Sequence, residues 1–213
     1  MHNLVIDIGN TNSKLAVFNQ KELVLYKRLE SLDLVFLTDL IEQYNIENAT
    51  VSSVNTATED LSIFLKRLVN YIPFTTAVTA GIANNYRSLA TLGLDRWAKV
   101  IAAHKLFNGK NTMMIDAGTC ITYDVLNSKS EYFGGSISLG INMRFKALNY
   151  YTERLPLINW PNNDVEIPLG NDTTNAIKSG VLDGVLNEVK GFIATENEKN
   201  SNLQIIITGG DAD

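Results

Sequence analysis

The chain predicts an α/β fold built as two similar lobes, each opening on a β-hairpin. Three observations carry that expectation. First, Leu4-Val-Ile-Asp7-Ile-Gly9-Asn10-Thr11-Asn12-Ser-Lys14-Leu-Ala-Val-Phe18 and Met113-Met-Ile-Asp116-Ala-Gly118-Thr119-Cys-Ile-Thr-Tyr-Asp-Val125 follow one pattern. Each is an apolar strand with one Asp near its end, a Gly/Thr turn, and a second apolar strand. Second, strand and helix patterns succeed each hairpin in much the same order. Third, 213 residues suffice for two lobes of about 100 each. An Asp in an apolar strand is costly, because a carboxylate leaving water needs a partner charge or several hydrogen bonds. One such residue could cap its own turn. Two in the same context suggest a duplicated lobe, the hairpins facing one another across a cleft.

Taken in order, Leu4–Ile8 and Leu15–Phe18 read as the first hairpin, and Leu23–Arg28 as a third strand. Leu34–Gln43 is helical, Ala49–Val54 a short strand, and Thr56-x-x-Glu59 a capping box opening a helix over Leu61–Val69. Phe74–Val78 is expected as another strand. Residues 81–94 carry turn signals and read as a connection. Asp95–Phe107 has apolar Trp97, Ala98, Ile101, Ala102 and Leu106 at helical spacing. The second lobe restarts with Met113–Ile115, Ile121–Leu126 and Gly134–Ser138, then a helix over Asn142–Tyr150. Residues 156–172, which hold Pro156, Pro161 and Pro168, read as a long loop. A long helix over Thr174–Ile193 and a strand over Leu203–Ile207 close the chain. Gly180 and Gly184, four apart, suggest close packing. The lobes are expected as 1–94 and 95–213.

Composition narrows the function. The apolar fraction of 45% is ordinary for a globular protein, and the net charge of −5 argues against a general nucleic-acid binder. One cysteine, Cys120, excludes an internal disulfide and suits a reducing compartment. Met1-His-Asn leads straight into a strand, and no apolar run approaches the ~20 residues a membrane span requires. A soluble, cytoplasmic protein without membrane contact is expected. With two histidines and one cysteine, a zinc site is not expected. Cys120 reads as a core thiol, and the Tyr150, Tyr151 and Trp160 group as packing or interface.

The turn Gly9-Asn10-Thr11-Asn12 joins two strands, so it is neither a Walker loop nor a dinucleotide fingerprint. Gly lets a ligand approach the backbone, turn amides can form an anion nest, and the Asn and Thr side chains add donors without negative charge. Asp7 at the rim suits Mg²⁺, directly or through water. Alone, the turn could be a tight hairpin whose Asn residues tolerate left-handed geometry. With the Asp116 hairpin and Gly209-Gly210 ending the last strand, phosphate binding is the better reading.

These paired hairpins resemble the phosphate motifs of the actin, sugar-kinase and heat-shock-chaperone superfamily. More narrowly, Asp7-Ile-Gly-Asn-Thr11, Gly93-Leu-Asp95-Arg96-Trp97, Asp116-Ala-Gly-Thr119, Gly134-Gly-x-Ile-x-x-Gly140 and Thr208-Gly-Gly210 are similar, in order, to the motifs of type III pantothenate kinases. The resemblance implies an actin/ribonuclease-H-like duplicated fold with an ATP cleft between the lobes. It also implies ATP-dependent phosphorylation of pantothenate, the first step of coenzyme A biosynthesis, by a homodimer needing Mg²⁺ and K⁺ or NH₄⁺. Carried over, Asp7, Ile8, Gly9, Asn10, Thr11, Asn12, Ser13 and Lys14 match the ATP phosphate loop, with Thr119 a second ATP contact. Asp95 matches the general base, and Gly93, Leu94, Asp95 and Arg96 the pantothenate-contacting segment. Tyr86 and Thr173 match substrate contacts, and Asp116 the monovalent-cation ligand.

The residues themselves support these roles unevenly. A carboxylate beside the attacking hydroxyl is the expected base, and a helix N-terminus suits its charge; Asp95 could also be a plain cap. Arg96 offers a guanidinium fork for a substrate carboxylate, or is a surface arginine. Thr173 could cap the helix that follows. Leu139 stands where the family has proline, and Asp172 where it has asparagine. Family members continue beyond Asp213 with another helix and strand, so the chain is expected to be C-terminally truncated. Two other classes remain open: a non-catalytic ATP-binding regulator, and an ATPase or phosphatase that uses water as acceptor.

Overall fold

In the computed structural model, residues 1–9, 12–53, 59–160, 166–200 and 202–212 are described. The capping residue Thr56 lies outside them. The chain packs as two compact units, residues 1–80 with 88–98, and residues 81–87 with 99–213.

The first unit holds the strands β1 (His2–Ile8), β2 (Ser13–Asn19), β3 (Glu22–Leu29), β4 (Ile46–Ser53) and β5 (Asn70–Tyr71) in one sheet, ordered β3-β2-β1-β4-β5. β1, β2 and β3 run antiparallel, whereas β4 lies parallel to β1 and β5 parallel to β4. Alternation along β1 and β2 buries Leu4, Ile6, Leu15 and Val17. These pack with Leu37 and Leu40 of α1 (Leu34–Tyr44) and Leu61 and Leu65 of α2 (Glu59–Leu68). Each such side chain, fully buried, stabilises by about 1.5–3 kcal/mol. The Asp33 side chain caps α1 by accepting from Val35 N at 3.1 Å, and Asn45 ends it in left-handed geometry. α2 sets Glu59 and Asp60 in its first turn and Lys66 and Arg67 in its last, matching the helix dipole.

The strand expected over Phe74–Val78 does not form. The ladder ends at β5, where Ile72 N donates to Ala49 O at 2.8 Å. The next residue is Pro73, which has no N–H to extend it.

The second unit repeats the plan. β7 (Thr112–Ala117), β8 (Cys120–Leu126), β9 (Glu131–Leu139) and β10 (Gln204–Thr208) lie in the order β10-β7-β8-β9, with β6 (Ala83–Asn84) beyond β9. β10 is parallel to β7, as β4 is to β1. β6 is a strand inside the segment expected as a connection; Ala83 N donates to Ser130 O (2.9 Å) and Asn85 N to Tyr132 O (2.8 Å). Met113, Ile115, Ile121 and Tyr123 pack against Ile141 and Phe145 of α4 (Ile141–Tyr150) and Ile177, Val181 and Val185 of α5 (Thr173–Lys199). The tight packing expected at Gly180 and Gly184 is not observed. A Cβ at Gly180 would meet nothing within 4 Å, and one at Gly184 only an Arg144 nitrogen at 3.9 Å. α3 (Leu94–Leu106) passes from the first unit into the second.

Candidate active site

In the first unit, Asp7 is the penultimate residue of β1. Its register partners are Lys14 on β2 and Ser52 on β4, so the three side chains share a sheet face. That face is opposite the one that buries Leu4 and Ile6. Ser52 is buried, and its hydroxyl finds no hydrogen-bond partner among the described residues. Gly9 N donates to Asn12 O at 3.1 Å, closing the turn. Ile8, Gly9 and Asn12 are half-buried, Ser13 is buried and Lys14 exposed. Asn10 and Thr11 lie outside the described residues. A carboxylate, an ammonium and an unsatisfied hydroxyl on one strand-end face can meet a polyphosphate and its metal.

The same unit holds the start of α3. Trp97 is fully buried and its indole N–H donates to Val78 O at 2.8 Å, which fixes the helix by its first turn. Leu94 is the first helical residue and Asp95 the second, so Asp95 lies in the turn where carboxylates are stabilised by the dipole. It is half-buried and folds back over Gly93: a Cβ at that position would stand 2.5 Å from Asp95 Oδ1. Glycine at 93 is what leaves the carboxylate its place. Arg96 is 5% exposed and therefore no surface arginine.

In the second unit, three glycine turns close around the Asp116 hairpin. Gly118 N donates to Cys120 O at 3.1 Å. A Cβ at Gly140 would stand 2.2 Å from Gly118 O, and one at Gly209 2.0 Å from Ala117 O. Gly209 has φ +111°, and Asp211 N donates to Ala117 O at 3.0 Å. Asp116 and Thr119 thus belong to one hairpin held by the start of α4 and the end of β10. Lys99 of α3 reaches the same place. Its ammonium pairs with Asp116 Oδ2 and lies 3.4 Å from Thr122 Oγ1. Sequence reasoning missed Lys99. Its position four residues after Asp95 puts it on the same helix face, but that spacing carries no pointer to Asp116.

Tyr86 follows β6 and stacks on Tyr132, ring centroids 6.2 Å apart. Tyr132 OH in turn donates to the fully buried Asp124 at 2.7 Å. A Cβ at Gly134 (φ +114°) would stand 2.9 Å from the Tyr86 ring, so this glycine lets the ring lie over β9. Gly135 does the same for the β8 backbone, where Tyr123 O would be 1.7 Å away. Thr173 is exposed at the first position of α5, and the cap is its neighbour. Asp172 Oδ1 accepts from Asn175 N at 2.9 Å. Cys120 is half-buried with its Sγ 3.9 Å from Met143 Sδ. Among the described residues no cluster of three His, Cys, Asp or Glu suits a metal.

The profile of the type III pantothenate kinase family matches residues 3–195. A type III pantothenate kinase of Bacteroides fragilis is 40% identical over 212 residues, 98% of this chain and 86% of that protein. One from Phocaeicola vulgatus is 39% identical over 211 residues, with the same coverage. Among solved structures, a Campylobacter jejuni protein described as a Baf family transcriptional activator matches with TM-score 0.60 at 24% identity, over 98% of this chain and 84% of that one. The ethanolamine utilization protein EutJ from Carboxydothermus hydrogenoformans matches with TM-score 0.53 at 12% identity, over 100% and 77%. These two likenesses concern the fold.

Proposed function

This chain belongs to the type III pantothenate kinase family, and we propose how its own residues carry that activity, the ATP-dependent phosphorylation of pantothenate that opens coenzyme A biosynthesis. Asp95 is the general base. It accepts the proton of the pantothenate hydroxyl as that oxygen attacks the γ-phosphorus, the bond to the β-phosphate oxygen breaks, and ADP leaves. The observation that carries this assignment is the carboxylate folded over Gly93 at the start of α3, beside a buried arginine. Phosphoryl transfer asks for positioning and charge neutralisation more than covalent help, so a fixed carboxylate within reach of the hydroxyl suffices. Arg96 binds the substrate carboxylate, with Gly93 and Leu94 shaping the backbone around it; Tyr86 and Thr173 contribute further contacts.

ATP is held by the turn from Asp7 to Lys14 and by Thr119. Asp7, with the unsatisfied Ser52 hydroxyl in register beside it, fits Mg²⁺, which prefers one or two carboxylates plus phosphate oxygens. When bound, that ion would neutralise phosphate charge. The monovalent cation expected at Asp116 fits less well, because the Lys99 ammonium already pairs with that carboxylate. We place the enzyme in the cytoplasm as a homodimer. Supporting the dimer are Phe133, Ile137 and Leu139, apolar residues exposed along one face of β9. Among the described residues no helix is long and apolar enough to cross a membrane.

The test is direct: incubation with ATP, Mg²⁺ and pantothenate, with the products resolved by mass spectrometry. Phosphorylated pantothenate is expected. Phosphate release without it would mark an ATPase, and ATP binding with no turnover a regulator.

A further inference from the structure

Lys99 lies one turn beyond Asp95 on α3, where a lysine ordinarily extends into water. Here its side chain is only 18% exposed, and Asp116 beneath it 25%. The ammonium sits between Asp116 Oδ2 on β7 and Thr122 Oγ1 on β8, residues that are register partners. The other carboxylate oxygen, Oδ1, lies toward the Gly118 turn, 3.8 Å from where a Cβ at Gly118 would be. A unit positive charge is thus delivered by the chain itself to the carboxylate end of the second hairpin.

We infer that Lys99 is a tethered monovalent cation: its ammonium holds the place at Asp116 that a free potassium or ammonium ion would otherwise take. This rests on the kinase reading above and deepens it. The chemistry of the substitution is close, since an alkylammonium and NH₄⁺ carry the same charge and both donate hydrogen bonds. A group on the same chain also acts at a high effective concentration, with no binding step to complete. Lys99 is a positioning residue, acting on the hairpin through Asp116 and touching no substrate.

The experiment compares the intact protein with Lys99→Met and Lys99→Arg in sodium, potassium, ammonium and choline chloride at equal ionic strength. It reads pantothenate-dependent ADP release and the thermal midpoint. The unaltered enzyme is expected to turn over within about twofold in all four salts, because the ion that matters is covalently attached. Lys99→Met is expected to lose at least about tenfold in sodium and choline, less than the roughly 10²–10³-fold that removing a group in direct contact with the reacting charge costs. Potassium or ammonium should restore it and raise its midpoint, while Lys99→Arg stays indifferent to the salt. An unaltered enzyme inactive without potassium overturns the inference, as does a folded Lys99→Met variant with no cation response. If Lys99→Met does not fold, the salt series on the unaltered enzyme decides. If no salt supports pantothenate-dependent turnover, the kinase reading has failed instead. The midpoints then decide, because only Lys99→Met should be stabilised selectively by potassium or ammonium.

Discussion

At position 93 a single methyl group separates two outcomes. Gly93→Ala places a Cβ 2.5 Å from Asp95 Oδ1, so the carboxylate must move while Trp97 keeps the helix anchored. A displacement of that kind should lower kcat by up to about 100-fold with little change in the thermal midpoint. Steady-state kinetics beside a melting curve checks it, and an unchanged kcat would detach Gly93 from the base. Asp95→Asn keeps the shape but removes the proposed proton acceptor, and should cost about 10²–10⁴-fold in turnover. Cys120→Ser should keep most of the activity, since the half-buried thiol packs 3.9 Å from Met143 Sδ; complete loss would point to a nucleophilic role. The Gly93-Leu-Asp95-Arg96 segment stood out in the sequence through its resemblance to the family motif, but the room Gly93 leaves for the carboxylate did not, because the spelling does not show which way the Asp95 side chain folds. Lys99 was not legible either, because an exposed helix lysine and one folded onto a strand seventeen residues later are spelled alike. The burial of Arg96 was equally hidden, since a buried arginine and an exposed one at a helix start are spelled alike.

At the level of elements, the Asp116 hairpin is confined by glycines from two other elements. Gly140→Ala would drive a Cβ to 2.2 Å from Gly118 O, a backbone atom that cannot swing aside as a side-chain end can. It should destabilise by about 1–3 kcal/mol and weaken ATP binding, measured by urea unfolding and by titration calorimetry. Beneath the same sheet, Arg144 of α4 meets Glu188 of α5 at 2.5 Å, and Tyr123 OH and Ser138 Oγ donate to Glu188 at 2.8 and 3.1 Å. Burial pushes the Glu188 carboxyl up, but the hydrogen bonds from Arg144, Tyr123 and Ser138 outweigh it and hold the carboxyl below its ordinary range. A depressed folded value stabilises above the unfolded value, and that contribution disappears as pH falls through the folded one. Glu188→Gln should therefore cost about 1–3 kcal/mol at neutral pH, and less as the solution is acidified below the carboxylate range. A constant difference across pH would show that the charge of Glu188 is not what stabilises. Tyr123 is raised by burial and by Glu188, so its phenol favours the neutral form that donates this bond. Element types were mostly legible from periodicity, and element ends were not. Phe74–Val78 has strand composition, yet Pro73 ends the ladder before it. β6 is two residues long and carries no period to read.

For the whole molecule, the repeated β3-β2-β1-β4 and β9-β8-β7-β10 orders correspond to the repetition of the Asp–x–Gly hairpins. The two hairpins hold corresponding places in their sheets, so the duplication could be read before any contact was known. The extra strands could not, since β5 and β6 are defined by pairing alone. If the exposed β9 stripe is a subunit interface, sedimentation should give a particle of twice 23.6 kDa, and Phe133→Glu with Ile137→Glu should return it to a single copy. A particle of one chain's mass before mutation would remove the dimer from the proposal. In the proposed reaction Asp95 takes a proton from pantothenate during phosphoryl transfer from ATP. The most direct test of this is ADP release by the intact protein and by Asp95→Asn, each with and without pantothenate. Release that requires pantothenate in the intact protein and falls at least about 100-fold in the folded variant is the expected result. Equal release with and without pantothenate, or an undiminished Asp95→Asn rate, would contradict it.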